Sequence, residues 1–257
     1  RLSRAGRMSE SDLERIADRA VLEALRAQED AGVDVVTDGE QRRDNFYSFV
    51  AEKLSGVRLL TLAELLDHVE DRAGFERILQ TLDVPASAVG NPTCVGRLDR
   101  REPLAVGELR FLKARARRPV KVPLPGPYLL TRALWVPALA RPAYGSKDEL
   151  SEDVVRVLRR EIEDLIAEGA DCIQLDEPVL TEVVFAPKAT RTFMCASLAE
   201  RGDPAEELEF AVGLVNRVLD GLRGPIFALH VCRGNWSRDE TTLLRGDYAP
   251  LAPYLER

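Results

Sequence analysis

Apolar residues at helical spacing, a glycine, then a short apolar run: this pattern recurs along the chain. In SESDLERIADRAVLEALRAQEDAGVDVVTDGEQ, Leu13, Ile16, Ala17, Ala20, Val21 and Ala24 share one helical face. Ser11 and Glu14 have the spacing of a capping box, and Gly32 is placed to close the helix in a left-handed conformation. Val33, Val35 and Val36 then predict a short buried strand that runs out into Asp38, Gly39 and Glu40. DELSEDVVRVLRREIEDLIAEGADCIQLDEP repeats the order. Val154, Leu158, Ile162, Leu165 and Ile166 line a helix, Gly169 caps it, and a strand from Cys172 to Leu175 leads to Asp176-Glu177-Pro178. PAEELEFAVGLVNRVLDGLRGPIFALHVCRGN predicts a helix, a stop at Gly224, a strand from Ile226 to Leu229, and then His230 and Cys232. A fourth strand, in PVKVPLPGP, follows a basic helix-like stretch around Arg110 to Arg118 and ends at Pro125-Gly126-Pro127.

Helix, glycine and strand in alternation is the grammar of parallel α/β folds. In a (β/α)8 barrel the chemistry sits where the strands end, and Glu40, Asp176, Glu177, His230 and Cys232 all fall at or just past predicted strand ends. The expected fold is therefore α/β, a (β/α)8 barrel that is incomplete in this chain, with its first and last strands missing. Residues 1–257 are expected to form one domain. Residues 55–119 hold no clean βα unit, and the region near 88–110 reads as a turn-rich β-hairpin insertion.

Composition narrows the function. Of 257 residues, 45% are hydrophobic and 31% charged, which suits a globular chain. The formal charge of −7, with both signs well mixed, argues against a nucleic-acid-binding face. No apolar run reaches membrane-spanning length and no leader pattern is present, so a cytoplasmic location without membrane partners is expected. The four cysteines, Cys94, Cys172, Cys195 and Cys232, are sparse and irregularly spaced, as expected for reduced thiols.

His230-x-Cys232 at a strand end places imidazole and thiol on one face, because strand side chains alternate with period two. Both are good zinc ligands, yet a packed structural pair is an equal alternative on this signal alone. Nothing after Cys232 completes a ligand set, and Cys172 and Cys195 read as packing thiols. In QLDEP, Asp176 and Glu177 should point to opposite faces, so one of the two enters the site in regular geometry. Either the acids serve a helix N-terminus, or Asp176 holds a cation such as an amine. Glu40 offers the same choice. His68 is expected on the surface of an amphipathic helix, and Tyr128 and Trp135 in the core.

Taken in order, DAGVDVVTDGEQRRDNFYSFV, KVPLPGPYLL, GADCIQLDEPVL and LHVCRGN resemble the catalytic barrel of cobalamin-independent methionine synthase, particularly its short single-barrel relatives. The similarity runs from about Gly6 to about Tyr254, and the combination of G-x-D-x-x-x-D-G-E-x-x-R, Q-x-D-E-P and H-V-C-R-G-N carries it. The resemblance implies a (β/α)8 barrel with a zinc ion bound by His-x-Cys, a glutamate and a second cysteine. His230 and Cys232 match the first two ligands; the others are expected beyond Arg257, and a glycine-serine motif on the first strand is expected ahead of Arg1. It also implies that Glu40 and Asp176, with Glu177 beside them, bind the amino group of homocysteine. The implied reaction moves a methyl group from a folate or corrinoid donor to the homocysteine thiol, giving methionine. A thiol alkyltransferase of the coenzyme M kind and a metal-free binding barrel are the alternatives. The expected partners are a small-molecule thiol and a methyl donor, with a homodimer left open.

Overall fold

The structure, a computed structural model, describes residues 8–69, 72–80, 85–185, 202–234 and 244–257. In chain order its helices and strands are α1 (Glu10–Asp30), α2 (Val50–Lys53), β1 (Leu54–Thr61), α3 (Leu62–Leu65), α4 (Arg72–Leu79), β2 (Gly90–Arg100), α5 (Val106–Lys113) and β3 (Lys121–Pro125). These are followed by α6 (Pro127–Leu134), α7 (Pro137–Ala140), α8 (Lys147–Ala167), β4 (Cys172–Asp176), α9 (Val179–Phe185), α10 (Pro204–Leu219), β5 (Ile226–His230) and α11 (Ala252–Leu255). The fold is α/β.

Strands β3, β4 and β5 form a parallel sheet in that order, with Pro125, Asp176 and His230 level with one another at the C-terminal ends. The expected strand after α1 is reduced to a single parallel bridge between Val36 and Val120. The reason is local. The Gln28 side chain donates to Thr37 O at 2.8 Å and accepts from Thr37 N at 2.9 Å, so one amide occupies both backbone groups that a strand neighbour would have paired. Val33 is exposed rather than buried.

Long amphipathic helices pack on this sheet. Leu150, Val154, Leu158, Ile162 and Leu165 of α8 and Leu208, Ala211, Leu214 and Val218 of α10 are buried and meet α6 in the main core. Ile166 lies only at its edge. Gly32 and Gly169 both follow their helices at φ +77°, the left-handed geometry glycine adopts without steric cost. Three boundaries differ from expectation. Ser9, not Ser11, caps α1, accepting from Asp12 N at 3.1 Å. Helix α10 stops at Leu219 with Asp220 as its cap and Gly221 left-handed, ahead of Gly224. His68 lies in a turn between the short helices α3 and α4, not on one continuous helix.

The expected hairpin insertion is also redrawn. Strand β2 pairs antiparallel with β1, from Leu54 opposite Arg100 to Thr61 opposite Gly90, so the ribbon begins upstream of residue 88. Residues 106–113, placed in the hairpin by sequence, form α5. A small second core of Leu60, Leu62, Leu65, Phe75, Val89 and Val136 packs at the far end of the ribbon. The near end is tied down by Glu161 of α8, fully buried, which pairs with Arg100 and accepts from Leu104 N and Ala105 N at 2.8 Å each. No helix among the described residues is long and apolar enough to cross a membrane.

Candidate active site at the strand ends

Three parallel strands in register deliver their last residues to one rim. The alternation of β4 sends Asp176 and Glu177 apart, as their adjacency requires. Asp176, 3% exposed, takes its Oδ1 to Nδ1 of His230 at 2.9 Å and to Nε2 of Gln174 at 2.7 Å. Gln174 in turn accepts from Lys121 Nζ at 2.7 Å. Glu177 turns into the helix layer, where its two oxygens accept from Tyr128 N at 2.7 Å and Leu129 N at 2.9 Å. An acidic helix N-terminus is thus realised, but for α6 rather than for Glu177's own helix. Burial pushes the Glu177 carboxyl up to about 8, against the pull of those two N–H groups.

His230 and Cys232 form the second part of the site. The Asp176 carboxylate, followed by the Cys232 thiol, raises the His230 imidazole to about 10. Burial alone would raise the Cys232 thiol. The His230 ring and the Gly234 N–H outweigh it and bring the thiol below its ordinary value. Cys94 and Cys172, by contrast, are buried thiols raised by desolvation. Cys195 and Asn235 lie outside the described residues.

Glu40 approaches from the loop after the Val36 bridge. It is the one non-glycine residue with positive φ among the described residues, at +55°, and directly follows Gly39 at +66°. Its N–H donates to Asp38 Oδ1 at 2.9 Å, and its carboxylate meets Arg43 Nη1 at 3.1 Å. Burial pushes the Glu40 carboxyl up; Arg43 pulls it back, and the carboxylates of Asp176 and Asp38 add to the rise. Glu40 and Asp176, on separate units of the chain, are therefore close enough to repel each other. Asp38 is 4% exposed, and its Oδ2 is buried without a hydrogen-bond partner.

The structure therefore brings Glu40, Asp176, His230 and Cys232 to one rim and turns Glu177 away from it. Sequence reasoning left Arg43, Glu108, Gln174 and Lys121 without roles. Arg43 closes the G-x-D-x-x-x-D-G-E-x-x-R spacing, and Gln174 stands two residues before Asp176 on the same strand face, so both signals were present in the chain. Tyr128 and Trp135 are buried in the core.

The donor chemistry at His230 and Cys232 suits a borderline-soft metal: an acidified thiol beside an imidazole whose other nitrogen is held by a carboxylate, the usual arrangement around a ligating histidine. Among the described residues, no group of three or more His, Cys, Asp or Glu side chains is arranged to hold a metal ion. The pair supplies two donors of such a set.

Residues 2–200 match the family described as cobalamin-independent synthase, catalytic domain. The chain belongs to this family. Its relatives include the methionine synthase of Sulfurisphaera tokodaii, 30% identical over 258 residues, an alignment covering 100% of this chain and 60% of that protein. The methionine synthase of Thermococcus kodakarensis is 29% identical over 91% of this chain and 57% of its own length. A solved B12-independent methionine synthase from Shewanella sp. W3-18-1, in complex with selenomethionine, superposes with a TM-score of 0.64 at 25% identity, covering 91% of this chain and 57% of the other. The chain thus spans about three fifths of the length of these relatives. The family match ends ahead of His230 and Cys232, which the S. tokodaii alignment includes.

Proposed function

We propose that this chain carries the thiol-activating part of a zinc-dependent methyltransferase that converts homocysteine to methionine. The observation that carries the reading is the meeting at one rim of Asp176, His230 and the acidified Cys232 thiol with the Glu40 carboxylate. The two carboxylates, one on the loop after α1 and one at the end of β4, raise each other's need for a cation. An α-ammonium group between them relieves that repulsion. Asp176 has a second task, since its Oδ1 holds the His230 ring and leaves Oδ2 without a hydrogen bond among the described residues. His230 and Cys232 would hold the zinc. When bound, zinc supplies the chemistry of keeping a substrate thiol as thiolate near neutral pH. The imidazole is fixed in direction by Asp176, and the Gly234 N–H stabilises the Cys232 sulfur as an anion.

The methyl donor in this reading is a folate or a corrinoid. An acceptor of the coenzyme M kind has no α-amino group to use Glu40 and Asp176, which favours an amino-acid thiol. The parallel order β3-β4-β5, the bridge at Val36 and the exposed Ile226 and Leu229 of β5 support a sheet that continues into a closed (β/α)8 barrel. Cytoplasmic reaction conditions agree with free thiols at Cys94, Cys172 and Cys232.

The test is Cys232→Ser in the full chain, purified without chelator and read for zinc content and for methyl transfer to homocysteine. The expected outcome is loss of most of the bound zinc together with the transfer, with the circular dichroism spectrum retained. Unchanged zinc content removes Cys232 from the metal site. Absence of zinc from the unsubstituted protein would favour a metal-free binding barrel.

A further inference from the structure

Arg43 is the least solvated charge near the site, and most of its bonding goes elsewhere than to Glu40. Its side chain is 1% exposed. Nη2 reaches Glu108 Oε2 at 2.6 Å, and Nε adds bonds of 3.1 and 3.3 Å to the two oxygens of the same carboxylate. Nη1 divides between Glu40 Oε2 at 3.1 Å and the Pro123 carbonyl of β3 at 3.0 Å. The Phe49 ring lies 4.2 Å beneath the guanidinium and closes its remaining face. A planar fork locked on this many sides is a rigid reference point, which a lysine would not provide.

Glu40 is the opposite case: a strained, left-handed residue whose carboxylate is held by one contact. Strain of this kind persists where surrounding structure over-determines it. The Arg43 fork on its carboxylate, Asp38 on its N–H and the Arg43 N–H on its carbonyl do so here. A full ion pair with Arg43 would cancel the charge that a ligand cation is to find. Glu108, on α5 and 65 residues along the chain, prevents this by taking the charge-assisted bonds itself.

We propose that Arg43 and Glu108 are a positioning pair: Arg43 aims the Glu40 carboxylate, and Glu108 neutralises Arg43 so that Glu40 keeps its negative charge for the ammonium group of the substrate. This rests on the reading of Glu40 as an amine-binding residue and adds how its charge is preserved. Neither Arg43 nor Glu108 touches substrate. The pair therefore sets specificity, the margin by which an amino-bearing thiol is preferred over the same thiol without the amine.

The experiment measures binding of homocysteine and of 4-mercaptobutanoate, its analogue lacking the amine, by titration calorimetry on the zinc-loaded full chain. The quantity read is the ratio of the two dissociation constants. Glu40→Gln should lower the homocysteine preference about tenfold, the worth of a hydrogen bond to a charged group. Glu108→Gln should lower it to a similar extent, because the Arg43 charge then falls wholly on Glu40. Binding of 4-mercaptobutanoate should stay within about twofold of the parent protein, as no amine contact is lost. Should Glu108→Gln fail to fold, Arg43→Lys replaces it, since lysine keeps the charge without the fork, and the same drop is expected. A Glu108→Gln or Arg43→Lys protein that keeps the full preference while Glu40→Gln loses it overturns the positioning pair and leaves the amine reading standing. No change with Glu40→Gln removes the amine reading itself. A purely structural role for Glu108 would weaken both thiols equally and leave the ratio unmoved, which also overturns the proposal.

Discussion

Gly126 sits at the N-cap of α6 with φ −71° and ψ 159°, a conformation open to any residue, so its backbone freedom does not explain the glycine. Space does. A Cβ at this position would fall well inside van der Waals contact with Oε1, Cδ and Cγ of Glu177. Gly126→Ala should therefore drive the Glu177 carboxylate off the Tyr128 and Leu129 N–H groups that it caps. Each of those bonds involves an ionisable acceptor at a helix N-terminus and contributes on the order of 1.5–3 kcal/mol. Losing both costs about 3–5 kcal/mol. Urea unfolding followed by circular dichroism should show it as a midpoint lowered by more than about 1 M, at a slope of about 2–3 kcal/mol/M. The decisive control is a double-mutant cycle with Glu177→Ala. In that background the colliding side chain is already gone, and Gly126→Ala should cost less than about 1 kcal/mol, a coupling well above the noise of such cycles. Equal costs in the two backgrounds would refute the argument and return Gly126 to a backbone role.

Glu161→Gln should destabilise the chain by about 3–5 kcal/mol, as breaking a buried ion pair does, since Arg100 would be left without its fully buried partner and an amide nitrogen would face N–H donors. A loss below about 1 kcal/mol in the same urea assay would show that the staple between α8, β2 and α5 is dispensable. The Tyr144 hydroxyl donates to Asp153 Oδ2 at 2.6 Å and accepts from Leu98 N at 2.7 Å, and burial, then the Asp153 bond, raises it to about 12. The folded protein thus keeps this proton where the unfolded chain has released it. Its contribution is complete below pH about 10 and is lost as pH climbs towards 12. Tyr144→Phe should cost about 1–2 kcal/mol at neutral pH and flatten the fall of stability across that window. Parallel falls for the two proteins would contradict it.

Local patterns carried a large part of this architecture. The periodicity of Val154, Leu158, Ile162 and Leu165 predicts the buried face of α8, and Gly32 and Gly169 mark where helices turn over. Strands β3, β4 and β5 stand where their apolar runs place them, with β4 and β5 each one residue longer than expected. The placement of Asp176 and Glu177 on opposite sides follows from alternation along a strand, which two adjacent residues cannot escape. These features are legible because each depends on neighbours within a few residues.

What the tertiary structure alone decided are pairings across long separations. Periodicity does not say that Glu177 caps a helix begun 50 residues earlier, or that Gln28 substitutes for a strand beside Thr37. Nor does it show that β2 finds its partner in residues 54–61 rather than in a turn of its own. A carboxylate reads the same in sequence whether solvated, capping or paired. Its role is set by the donors that packing brings to it: Arg43 for Glu108, Arg100 for Glu161, His230 for Asp176. Charge partners are chosen by the geometry of the folded core, because only burial makes one partner worth more than water.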